Sequence, residues 1–92
     1  MPVFSPSEIA QRLVGIPDWR LESGNLVRVF SFADFREAMS FVNSVAVVAE
    51  RAGHHPDIDI RYNKVHLALS SHDAGGITDR DFSVADEIGK IL

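Results

Sequence analysis

No cysteine occurs among the 92 residues. That absence removes disulfides, thiolate zinc sites, iron–sulfur clusters and cysteine nucleophiles together, and it fits a reducing, cytoplasmic setting better than a secreted one. Long apolar runs are also missing: the longest stretches are a few residues, far below the ~20 needed to cross a bilayer. Met1-Pro2-Val3-Phe4 lacks the basic and apolar pattern of a signal peptide, so the expectation is an untargeted protein with no membrane role. Basic charge is in deficit, nine Lys+Arg against thirteen Asp+Glu, for a formal net charge of −4. Such a balance argues against a broad phosphate-binding surface, and no direct contact with nucleic acid is expected. Repeats, low-complexity tracts and linkers are absent. A chain of this size buries roughly 60–65% of the surface its unfolded form exposes, enough for one core, so residues 1–92 are expected to form a single domain.

What the chain does have is clear punctuation. Ser5-Pro6-Ser7-Glu8 supplies a capping serine, proline at the first helical position and glutamate at the third, which predicts a helix from Pro6 to about Val14, stopped by Gly15 and Pro17. Trp19 to Glu22 and Leu26 to Phe32 read as two strands joined across Ser23-Gly24-Asn25. Asp34 and Glu37 repeat the capping spacing and open a long helix from Phe35 to Ala52. Its apolar stripe is Phe35, Ala38, Met39, Val42, Val45, Ala46, Ala49 and Ala52, while Phe41, Val47 and Val48 lie off it and are expected to make a subunit contact. Gly53 ends the helix at the position favouring left-handed backbone. Ile58, Ile60 and Tyr62 alternate with Asp57, Asp59 and Arg61, and Val65, Leu67 and Leu69 with Lys64, His66 and Ala68. These are two strands meeting at Asn63-Lys64, each with one face on the core. Thr78 and Asp81 cap a last helix that runs nearly to Leu92 and buries Phe82, Ala85, Ile88 and either Ile91 or Leu92. The order α-β-β-α-β-β-α, with two hairpins and no parallel crossover, predicts an α+β two-layer sandwich: a four-stranded antiparallel sheet with helices on one face.

Histidine is the residue in surplus. His54 and His55 leave a helix end and His72 leaves the end of the fourth strand, so two chain reversals can bring the three to one edge of the sheet. Imidazole, with an unperturbed pKa near 6.5, gives and takes protons around neutral pH, which suits acid–base chemistry without a cofactor. Pro56 restricts His55 toward an extended conformation. Glu50 is placed to reach back across the turn to a histidine, and Asp73, Arg80 and Asp81 lie just beyond His72. Asp81 has a simpler explanation as a cap. His66, by alternation, lies on the polar face of the sheet. A zinc site is disfavoured because adjacent residues leaving a helix point apart and no His-x-x-x-His spacing occurs. Ser70 and Ser71 lack the glycines of a nucleophile elbow, and Gly75-Gly76 lacks the lysine of a phosphate loop.

With these residues placed, the run from Glu50 to Asp81 resembles the pterin-4a-carbinolamine dehydratase family, also known as the dimerisation cofactor of a homeodomain transcription factor. The likeness is carried by Glu50, His54-His55-Pro56, Tyr62-Asn63-Lys64-Val65, Ser71-His72, Gly75 or Gly76 and Thr78-Asp79-Arg80-Asp81, in order and spacing. Upstream, Phe30, Phe32 and Phe35 leading into Ala38, Phe41 and Val45-Ala46 extend it over most of the chain beyond Trp19. The resemblance implies dehydration of a 4a-hydroxytetrahydropterin to the quinonoid dihydropterin, with pterin as substrate and no metal or organic cofactor. It implies His54, His55 and His72 as the catalytic histidines, Glu50 as a supporting carboxylate and Arg80 as the site arginine; Pro56, Ser71 and Asp73 complete the supporting or substrate-binding set. A homodimer or homotetramer is implied as well. Three departures stand out: Ile58 where animal members carry tryptophan, Gly53 where a polar residue is frequent, and Ser71 for threonine. The competing expectation is a non-catalytic module of the same fold that binds or assembles a protein partner.

Overall fold

The computed structural model describes residues 2–92. Seven elements follow in the expected order: α1 (Pro6–Leu13), β1 (Arg20–Glu22), β2 (Asn25–Ser31), α2 (Phe35–Ala52), β3 (Asp57–Arg61), β4 (Lys64–Leu69) and α3 (Asp79–Lys90). The caps explain where the helices begin. Ser5 Oγ accepts the Glu8 N–H at 3.2 Å while Glu8 Oε1 accepts the Ser5 N–H at 2.8 Å, and Asp34 Oδ1 accepts the Glu37 N–H at 2.9 Å. Gly53 closes α2 at φ 63°, ψ 29°, and the His54 N–H then returns to the Ala49 carbonyl at 3.2 Å. This left-handed exit turns the chain back toward the sheet, burying His54 and leaving His55 exposed.

The two hairpins join into one antiparallel sheet of order β1-β2-β4-β3. Pairing of Leu26 with Leu69 and Phe30 with Val65 aligns the apolar side chains of the two central strands on the face that the helices cover. Phe41 of α2 packs between Phe30 and Phe32, with ring centroids 4.6 and 5.0 Å away.

Several expectations are corrected. Phe41 is core and so cannot serve as a subunit contact; the buried series on α2 is Ala38, Phe41, Val45 and Ala49. Phe35, assigned above to the core stripe, is 49% exposed, and Val47 is 50% exposed. The true stripe is rotated because the Phe41 ring fills the space between Phe30 of β2 and Phe32 just beyond its end. On β3 the alternation is right but the cover is not: Ile58 is 40% exposed and Tyr62 protrudes from the turn at φ 53°. β3 is an edge strand, paired only with β4. Trp19 precedes β1 yet is buried, edge-on to Phe30. At the other end α3 stops at Lys90, leaving Ile91 and Leu92 exposed, and Val84 takes the expected place of a terminal residue in the core.

Candidate functional site

His54, the first residue after the left-handed Gly53, turns inward and is 9% exposed. Its Nε2 lies 2.6 Å from Oδ1 of Asp81, a carboxylate that is fully buried. The other carboxylate oxygen, Oδ2, accepts the Ser71 hydroxyl at 2.9 Å and the Thr78 N–H at 2.9 Å. Counting protons fixes the directions. Ser71 spends its one hydroxyl proton on Asp81, so in the 2.8 Å contact between the two hydroxyls Thr78 is the donor. With Asp81 as the carboxylate, which only accepts, the bond from His54 runs from Nε2–H to Oδ1 and leaves Nδ1 as the exchangeable position of the ring. Among the described residues Nδ1 has no protein partner, and the only buried side-chain nitrogen or oxygen without one is Arg80 Nε, so Nδ1 of His54 reaches solvent.

His55 points the other way. Its side chain is exposed, and Nε2 contacts Glu50 Oε2, the carboxylate one turn back on α2 that was expected to reach across. Pro56, buried behind it, starts the run into β3. Continuing the β3–β4 register two residues past Asp57↔Ala68 aligns His55 with Ser70. Ser70 Oγ in turn lies 3.2 Å from Nε2 of His72. His72 therefore stands at the same end of the β3–β4 pair as His54 and His55, on a cleft of about 280 Å³ shared with Ser70, the Ser23-Gly24-Asn25 turn and Gly75.

The loop carrying His72 is tied down at both ends. Ser71 and Gly76 form an isolated antiparallel bridge, with the Ser71 N–H on the Gly76 carbonyl at 2.9 Å. The N-terminal segment crosses it: the Phe4 N–H bonds the Ile77 carbonyl at 2.8 Å, and a Cβ at residue 76 would sit 2.7 Å from Val3 Cγ1. A side chain there would require the exposed Val3 to shift.

Of the two remaining expected residues, Arg80 and Asp73 engage each other. Arg80 Nη2 donates to Asp73 Oδ1 at 2.7 Å. That hydrogen bond, with the guanidinium charge behind it, holds the Asp73 carboxyl below its ordinary range and lifts Arg80 above its own. Ser71, the departure from threonine, is buried, and its hydroxyl is the part in use. Among the described residues no three His, Cys, Asp or Glu side chains converge as a metal ion would require.

Sequence reasoning read Asp81 as a helix cap, which it is, and missed its second contact, with His54. The signal was present. Asp81, Ala85 and Ile88 are spaced i, i+4, i+7 and share the face that the helix buries, so an acid there needed a partner.

The model of the family described as Pterin 4 alpha carbinolamine dehydratase matches residues 2–91. A relative named as a pterin-4-alpha-carbinolamine dehydratase from Chloroflexus aurantiacus is 55% identical over 92 residues, covering 100% of this chain and 99% of its own. One from Acidobacterium capsulatum is 54% identical, covering 100% of both. Among solved structures, a transcriptional coactivator/pterin dehydratase from Brucella melitensis superimposes with a TM-score of 0.92 at 29% identity, covering 98% of each chain. A pterin dehydratase-like protein described as a RuBisCO assembly factor in the alpha-carboxysome shares the fold at 21% identity, with a TM-score of 0.68 over 80% of this chain and 88% of its own.

Proposed function

The chain belongs to the pterin-4-alpha-carbinolamine dehydratase family and is a dehydratase, a hydro-lyase; we propose that it converts a 4a-hydroxytetrahydropterin into the quinonoid dihydropterin by histidine acid–base catalysis. The observation that carries the proposal is the buried Asp81–His54 pair, whose His54 Nδ1 reaches solvent and whose carboxylate also holds Ser71, the residue before His72. In the reaction the C4a–O bond breaks, the hydroxyl leaves as water with one added proton, and the N5–H proton is lost as the C4a=N5 double bond forms. His54, protonated, gives its Nδ1 proton to the departing hydroxyl. Asp81 supplies the counter-charge that a buried imidazolium needs and holds the ring in one orientation. Neutral His72 positions the pterin and takes the N5 proton, and His55, steadied by Glu50, shares proton exchange with solvent. One proton enters and one leaves, so neither a metal nor an organic cofactor is required. Pro56, Ser71, Asp73 and Arg80 support the loops on which these groups stand. The setting is the cytoplasm, in service of recycling reduced pterin.

Carbinolamine made chemically or enzymatically, with its absorbance decay followed in the presence of the protein, tests this. His54→Ala and His72→Ala should each slow the catalysed decay by roughly 10²–10⁴-fold. Rates like the wild type in both variants would overturn the proposal.

A second reading has its own support. Phe35 and Val47 of α2 are exposed, and β3 offers a free sheet edge. These features suit a homodimer or homotetramer, and the coactivator named in the Brucella relative suggests a protein partner on the same surfaces. Val47→Asp would then disrupt association while leaving carbinolamine turnover unchanged.

A further inference from the structure

A second cleft, of about 290 Å³, opens between the turn after α1 and the last turns of α3, and it shares no lining residue with the histidine site. Its central cation is Arg28 of β2. Arg28 pairs in register with Leu67, so it belongs to the face of the sheet that carries the core, an expensive place for a charge unless something holds it. Part of the holding is visible. The guanidinium lies over the Phe30 ring, 4.3 Å from its centroid, with the side chain only 18% exposed. The carboxylate beside it, Asp18, is 3.6 Å away, past hydrogen-bond length, and is itself mostly in solvent. Among the described residues Arg28 makes no side-chain hydrogen bond, and none of its nitrogens is sealed from solvent. A pre-oriented fork of donors therefore faces the cleft with its valences open.

The other charges around the cleft decide what would fit. Lys90 is occupied by Asp86 and Glu87, at 3.5 and 3.2 Å. Asp18 and Asp86 both line the cleft, so a dianion such as phosphate would meet two carboxylates there. We propose that this cleft binds a small zwitterion of the α-amino-acid class, its carboxylate forked on Arg28, its ammonium against Asp18 and its apolar side chain over Ile16 and Pro17. The volume is at the lower edge of small-molecule sites, which begin at about 300 Å³, and so holds one amino acid and not a peptide.

The test is a titration of the intact protein, followed by amide correlation spectra, with L-leucine, with 4-methylpentanoate (leucine without its ammonium) and with inorganic phosphate. Leucine should shift the Gly15 and Gly89 amides saturably, with half-saturation in about the millimolar range. Arg28→Lys should weaken leucine by about 10-fold, because an ammonium cannot form the fork. Asp18→Asn, at an exposed position, should weaken leucine while 4-methylpentanoate, freed of a neighbouring like charge, binds as well as before or better. The proposal is overturned if leucine gives no saturable shift, if Arg28→Lys titrates like the wild type, or if phosphate binds more tightly than leucine.

Discussion

Asp81→Asn separates the chemistry of the buried carboxylate from its role in the fold. Asparagine keeps the shape but has one acceptor oxygen and one amide that only donates. The Thr78 N–H and the Ser71 hydroxyl both need an acceptor, each at 2.9 Å, so the oxygen stays with them and the amide turns to His54. His54 Nε2 must then accept, which moves the proton of the neutral ring to Nδ1 and deprives an imidazolium of its counter-charge. Trading charge-assisted bonds for neutral ones costs stability by about 1–2 kcal/mol, a loss that a domain with an ordinary margin of about 5–15 kcal/mol survives. The loss of proton transfer is larger, roughly 10²–10⁴-fold in rate, or about 2.7–5.4 kcal/mol of barrier. Urea denaturation gives the first quantity, carbinolamine decay the second, and long-range nitrogen–proton spectra of the imidazole rings report the tautomer. A folded Asp81→Asn protein with the wild-type rate, or with His54 still carrying its proton on Nε2, would refute the reasoning.

Other outcomes follow from the same structure. Phe41→Ala opens a void between the Phe30 and Phe32 rings and should lower stability by about 3–5 kcal/mol in chemical denaturation. Gly53→Ala meets no atom within 4 Å but places a side chain on a φ of 63°, so its cost is conformational, about 1–2 kcal/mol, read in the same way. Asp73 is held below its ordinary range chiefly by the hydrogen bond from Arg80, so its contribution to stability is present above the unfolded value, about 3.9, and is lost as pH falls through the lower folded value. Arg80→Gln should move the Asp73 titration up toward that unfolded value, as carboxyl carbon shifts would show.

The architecture was legible because its local signals agree. Ser5-Pro6-Ser7-Glu8 and Thr78-Asp79-Arg80-Asp81 form the capping boxes their spacing implies, and Gly53 adopts the left-handed turn expected of it. What failed was the assignment of faces where tertiary cover decides. Alternation on β3 says which side chains share a side, but whether Ile58 is buried depends on how far the helices extend over an edge strand, which periodicity does not encode. Phe41 was misplaced for a related reason: an 18-residue helix has several apolar arcs, and the one chosen by the core is set by the aromatics of β2. The site shows the same division. Glu50 beside His55 was legible because the two lie five positions apart across the Gly53 turn, whereas the link from His54 to Asp81 spans 27 positions and depends on α3 packing against α2.

The partners of the three rings also bear on how the proposed proton transfers divide. A buried carboxylate that accepts from Nε2 fixes the tautomer, and this is the case for His54 with Asp81; His55 meets Glu50 in solvent. His54 loses a buried bond if the proton leaves Nε2 and so is confined to exchange at Nδ1, whereas the His55 pair is exposed and water can replace its partner. His72 differs, because the group on its Nε2 is the Ser70 hydroxyl, which donates or accepts with equal ease. It can take up a proton on either nitrogen, or pass one through, without breaking that contact. The ring whose position is locked by a buried anion is suited to delivering a proton to one atom of a bound ligand. The ring held by a hydroxyl is suited to accepting a proton and returning it to water, which is the order of roles proposed for His54 and His72.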